Sequence, residues 1–147
     1  MRRLKSRAFS RILTAAVLSV LTAVGLAFTA SPASAAPYWQ EVNTGPTWSC
    51  NPTKIHPAKA GVGFQTCIVV NANYDAQAVL VVVNNSSSAI QLSGVIDTSF
   101  GADASCYSST LNPGFRRGCF GPTVHVGSGV TLGATSYLTV NGTTAIN

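Results

Sequence analysis

Beyond residue 60 the chain alternates hydrophobic and polar positions in short runs separated by Gly, Asn, Ser and Pro, and no stretch shows a helical period. Gly63 to Asn71 reads Gly-Phe-Gln-Thr-Cys-Ile-Val-Val-Asn and predicts a strand. Ala76 to Asn84 contains Val79-Leu80-Val81-Val82-Val83, a continuous apolar run that must be buried on both faces or against a partner. Asn84-Asn85-Ser86-Ser87-Ser88 interrupts, and Ala89 to Phe100 resumes. There Ile90, Leu92 and Gly94 alternate with Gln91 and Ser93, which leaves one face wet. Phe120 to Val126 and Val130 to Val140 supply the last strands, joined at Gly127-Ser128-Gly129, with Ser136, Leu138 and Val140 opposed to Tyr137, Thr139 and Asn141.

Six or seven short strands with frequent turn signals predict an all-β fold, a small immunoglobulin-like β-sandwich with two disulfides. A small closed barrel is the alternative. The Cys…Trp…Cys spacing of antibody domains is missing, because Trp48 precedes Cys50. Two segments fall outside the strand pattern. Residues 36–49 read as an extended arm ahead of a sandwich domain at 50–147, and residues 107–118 read as a loop pinned between two cysteines.

The amino terminus changes the charge picture. Residues 1–11 hold five Lys and Arg and no acid, Ile12 to Phe28 is apolar or small, and Ala33-Ser34-Ala35 has the small-x-small form of a cleavage site. Residues 1–35 therefore read as a secretory signal peptide. Its removal from the 147 residues leaves 112, in which Lys54, Lys59, Arg116 and Arg117 balance Glu41, Asp75, Asp97 and Asp103. The net charge of +5 and the pI near 9.3 belong to the leader. A neutral remainder offers no electrostatic footprint for nucleic acid or an anionic membrane. It also holds no run of the roughly 18 apolar residues that would span a bilayer.

Cys50, Cys67, Cys106 and Cys119 lie beyond the leader, and an even number in an exported chain reads as two disulfides. Three pairings are open. Cys50–Cys67 and Cys106–Cys119 are favoured, since each closes a short loop containing turn residues. No Cys-x-x-Cys occurs, so a zinc site built from these cysteines with His56 or His125 is not expected, and neither is any cofactor.

Catalytic signatures are missing as well: there is no Gly-x-Ser-x-Gly elbow, His-Glu-x-x-His, phosphate-binding loop or Asp-rich calcium loop. His125, between Val124 and Val126, reads as a surface or hydrogen-bonded residue, and His56 as structural. The sequons at Asn84, Asn85 and Asn141 read as turn formers. The chain is accordingly expected not to be an enzyme, and recognition surface is what remains. Phe115, Arg116 and Arg117 sit on the disulfide-closed segment, and Arg and aromatic residues are enriched at interface hot spots. Tyr38, Trp39 and Trp48 lie on the arm, either to dock on a partner or to fold back on the domain's own core.

An Arg- and Ala-rich leader, a mature domain near 110 residues, all-β composition and two local disulfides together resemble the small secreted proteins of streptomycetes. Among these the chain is similar in size and layout to the small immunoglobulin-like adaptor of umbrella toxin particles. The resemblance implies a secreted, non-catalytic module that binds other secreted proteins within a toxin assembly. Proteinaceous inhibitors of the subtilisin-inhibitor type share the layout but carry a sheet-and-helix pattern that this chain lacks. Inhibition of a trypsin-like protease by Arg116 or Arg117 is the second expectation. A carbohydrate-binding module using Tyr38, Trp39 or Trp48 is the third.

Overall fold

Ten strands build two antiparallel sheets in the computed structural model, which describes residues 37–147. The leader, the expected cleavage site and Ala36 lie outside the described residues. The strands are β1 (Trp48–Cys50), β2 (Lys54–Ile55), β3 (Val62–Val70), β4 (Asp75–Asn84), β5 (Ile90–Thr98), β6 (Ala104–Leu111), β7 (Arg116–Phe120), β8 (Val124–His125), β9 (Ala134–Val140) and β10 (Thr143–Ile146). One sheet runs β1-β3-β4-β7, with β2 on β3 and β8 on β4; the other runs β10-β9-β5-β6. No helix forms among the described residues, and the architecture is a small β-sandwich. The consecutive strands β3 and β4 pair within one sheet here.

Alternation decides which side chains fill the space between the sheets. Val62 and Phe64 of β3, Ala78, Leu80 and Val82 of β4, Ile90, Leu92 and Ile96 of β5, and Leu138 and Val140 of β9 form the main core. The sheets approach closely at Gly94, where a Cβ would stand 2.5 Å from Leu80 Cδ2. Two buried polar contacts tie one sheet to the other. His56 is 1 % exposed, sits 3.1 Å from the Leu138 carbonyl through Nε2, and accepts the Ala58 N–H at Nδ1. Thr66 Oγ1 and Ser136 Oγ share a hydrogen bond.

The disulfides pair as favoured, and they differ in kind. Cys50 and Cys67 are direct cross-strand partners within one sheet. Cys106 of β6 and Cys119 of β7 belong to different sheets, so the second bridge pins the sandwich shut at one edge.

Three strand expectations need correction. Residues 107–118 are not a loop: Tyr107–Leu111 completes β6, Arg116–Gly118 opens β7, and only four residues turn between them. The Ser- and Thr-rich composition is that of an edge strand wet on its outer side. The stretch from Phe120 to Val126 is broken at Gly121-Pro122-Thr123, where proline can donate no ladder bond. The last long strand starts at Ala134 instead of Val130, because its partner β5 ends opposite it at Thr98.

Candidate functional site

The arm does not hang free. Gln40 and Gly118 exchange both backbone hydrogen bonds, at 2.9 and 2.8 Å, so the arm adds a short bridge to the outer edge of β7. Val42 then lies buried against the outer face of the β4 sheet, grouped with Cys67, Val79 and Val81 and with Trp48, Val69 and Phe120 beside them. This accounts for the unbroken apolar run in β4. Leu80 and Val82 face the main core, while Val79 and Val81 face a second cluster that the arm itself helps to cover. Trp48 meets Phe120 edge-on, with ring centroids 6.2 Å apart.

One residue ahead of the bridge, Trp39 turns toward the main core and donates its indole N–H to the Tyr107 carbonyl at 2.7 Å. Tyr107 in turn donates its own N–H to the Pro37 carbonyl. Both bonds fall at an irregularity of β6. Leu92 of β5 pairs with Ser109, but Gly94 pairs with Cys106, so Tyr107 and Ser108 share the space opposite one residue. Such a bulge bends a strand and frees its backbone groups for other partners. Here it also reverses the strand's parity, which is how Cys106 and Leu111 both point inward.

What the arm leaves outside is aromatic and cationic. Tyr38, 71 % exposed, stacks on Tyr107, 44 % exposed, at 4.9 Å between centroids. Farther along the same edge Glu41 approaches Arg117 at 3.9 Å, and the Arg117 guanidinium stands 5.0 Å over the ring of the exposed Phe115. Arg116, also exposed, lies on the outer face of the β4 sheet near Thr53, Gly63 and Val83. The Glu41–Arg117 pair lies largely in water, where it contributes little to stability.

Asn84, fully buried, holds the turn that carries Phe115. Its Nδ2 donates to the Leu111 and Ser88 carbonyls, its carbonyl accepts the Gly114 N–H at 2.7 Å, and its N–H donates to the Phe115 carbonyl. The turn is therefore braced from below as well as by the Cys106–Cys119 bridge.

The two surfaces expected separately on the arm and on the 107–118 segment are thus brought together along one edge. Of the six expected contact residues, Tyr38, Phe115 and Arg116 stand exposed, while Arg117 is half-buried among its partners. Trp39 and Trp48 are spent on packing. Tyr107 was overlooked in the sequence, where it reads as one polar loop residue among serines. Elsewhere, His125 Nδ1 lies 3.2 Å from Asp75 Oδ1, and Asn71 donates to Asp75 Oδ2. Those two hydrogen bonds, Asn71 first, hold the Asp75 carboxyl below the ordinary range. Among the described residues no group of three or more His, Cys, Asp and Glu is placed to hold a metal ion. No family model, curated protein or solved structure matches the chain.

Proposed function

We propose that this chain is a secreted, non-catalytic protein-binding module, an adaptor in a secreted multi-protein assembly of the toxin-particle kind it resembles. The observation that carries this reading is the docked arm, which stacks Tyr38 on Tyr107 along the edge where Arg117 covers the exposed Phe115. Tyrosine and arginine held in place lose little freedom on binding and recur at the energetic centres of interfaces. Disulfides and the lack of a membrane-length apolar helix among the described residues are compatible with an extracellular setting. The protease-inhibitor reading draws less support, because the backbone around Arg116 and Arg117 is already paired with Val83 and Val82 of β4.

The test is affinity capture from culture supernatant with the wild type and with a Tyr38→Ala, Tyr107→Ala double variant. Large chains that co-purify with the wild type and are lost with the variant support the adaptor. A partner set that ignores the double substitution counts against it. So does near-stoichiometric block of trypsin that disappears with Arg116→Ala, or retention on polysaccharide.

A further inference from the structure

The edge formed by β6 and β7 has two unlike ends. At one, a cleft of about 460 Å³ opens between Pro37, Val95, Asp97, Asp103, Phe120 and Pro122. Its walls are mainly apolar, and it carries two carboxylates. Asp103 is turned by its Oδ1, which accepts from the Thr98 N–H and Oγ1, while Asp97 has no ion-pair partner among the described residues. At the other end stands the turn with Phe115, whose part-exposed ring carries the Arg117 guanidinium, followed by Arg116, an exposed cation that has no ion-pair partner among the described residues either. The two ends cannot meet within one molecule. Phe120 lines the cleft and Arg116 opens the same strand, so the five residues of β7 hold them roughly 13–16 Å apart along a paired strand.

We propose that these ends fit each other between copies, with the Phe115–Arg116 turn of one molecule seated in the Asp97 and Asp103 cleft of the next. Charge complementarity selects this occupant. An apolar cleft with two acids takes a group that carries both apolar body and positive charge. Of the cations among the described residues, Arg117 is engaged with Glu41, Lys54 donates to the Ile146 carbonyl, and Lys59 is half-buried between small residues. Arg116 alone is exposed with no partner for its side chain among the described residues, and it follows the exposed Phe115 in the chain. The turn is already braced by Asn84, so little freedom is lost on docking. Four cations against four acids over residues 37–147 leave no net repulsion between copies. Each molecule keeps one free turn and one free cleft, so the contact is head-to-tail and repeats. It extends beyond the adaptor reading and needs no second protein, although it takes the Phe115 turn from the edge proposed for the adaptor. The Tyr38–Tyr107 stack stays open to a different protein.

Sedimentation velocity on the purified secreted protein tests the contact. The wild type is expected to sediment faster as concentration rises at low salt, and to revert toward monomer when salt shortens the screening length to a few ångströms. Arg116→Glu and Asp97→Lys should each weaken association about tenfold or more, because like charges then face each other. An equimolar mixture of the two variants should associate again, since the intact turn of one meets the intact cleft of the other. Both side chains are exposed, and melting curves identify a variant that fails to fold; Arg116→Ala and Asp97→Ser then take its place. A wild type that stays monomeric up to about 1 mM, near the weak limit of specific contacts, overturns the proposal. So does association that neither substitution weakens, or variants whose mixture fails to recover. A monomeric result would leave the Tyr38–Tyr107 surface untouched as a binding site.

Discussion

Val42 of the arm rests on Gly118 of β7, and the fit is tight: a Cβ on Gly118 would stand 3.0 Å from both Val42 Cβ and Phe120 Cε2, so the arm would have to give way. The backbone bonds between Gln40 and Gly118 flank this contact. Gly118→Ala should therefore lever the arm off while the sandwich behind it stays folded. Overpacking of this sort costs about 1–3 kcal/mol. Hydrogen exchange should show the Gln40 amide losing its protection before those of β3 and β4. A variant with unchanged melting temperature and unchanged Gln40 protection would mean that the arm is held elsewhere.

The bridges should differ in how they respond to reductant. Cys50 is exposed, whereas Cys106 and Cys119 are both buried between the sheets. Exposed disulfides are the more readily attacked. Graded reduction followed by alkylation and peptide mass analysis should label Cys50 and Cys67 first. Replacing Cys106 and Cys119 together by alanine should cost about 2–5 kcal/mol, the range for a native bridge in a small domain. Labelling of Cys106 first would contradict the placement of that bridge at the closed edge.

Much of this architecture was legible in the residues. Alternation from Ile90 to Gly94 separated the inner face from the wet one as it stands, that from Ser136 to Asn141 divided the last long strand into its two faces, and the two short Cys-to-Cys spacings pointed to the pairing found. Less legible was anything carried by irregular backbone. The bulge at Tyr107 leaves no mark in a Ser- and Thr-rich run, yet it decides where the arm docks and which way Leu111 faces. Asn84 reads as a turn former and is instead a buried tie under the Phe115 turn. The strand β10 did have a signal, Asn141-Gly142, whose positive φ angles of 48° and 87° form the two-residue hairpin that pairs Val140 with Thr143. Whether the arm's tryptophans turn outward or inward depends on a pocket assembled from distant strands, and local sequence holds no trace of it.

Asp75 links stability to acid. Its carboxyl is held below the 3.8 of a free side chain, first by the Asn71 amide and then by His125. A carboxyl depressed in the folded state stabilises the fold above its unfolded value, and that contribution is lost as pH falls through the folded one. The gap in melting temperature between wild type and Asp75→Asn should accordingly be present at neutral pH and close below about pH 4. Asn71→Ala and His125→Ala should each bring the Asp75 titration back toward the ordinary value, as followed by carboxyl carbon resonances. A gap that persists unchanged at acid pH would show that the effect is not the carboxylate's.

Asn147 offers the sharpest test of how the two sheets are tied. Its Nδ2 donates to the carbonyls of Pro52 and Phe64, at 3.0 and 3.3 Å, and its Oδ1 accepts the Thr66 N–H. Its backbone exchanges both bonds with Ser136, at 2.9 and 3.0 Å, and its carbonyl accepts from Thr66 Oγ1. One residue thus joins β3 in one sheet to β9 in the other. Asn147→Asp keeps the shape, removes both side-chain donors and sets a carboxylate against two carbonyl oxygens. The Pro52 carbonyl is open to water, but taking this donor from the part-buried Phe64 carbonyl costs about 1–3 kcal/mol. Asn141→Asp is the control, because Asn141 meets Gln91 only as an acceptor through its side chain and an aspartate can still accept there. Denaturant melts should show the loss for Asn147→Asp and little for Asn141→Asp. Equal stability of the two variants would mean that the hydrogen bonds of Asn147 Nδ2 are readily replaced by water, and that the sheets are held by the Cys106–Cys119 bridge, the apolar core and the remaining polar ties of His56, Thr66 and Ser136.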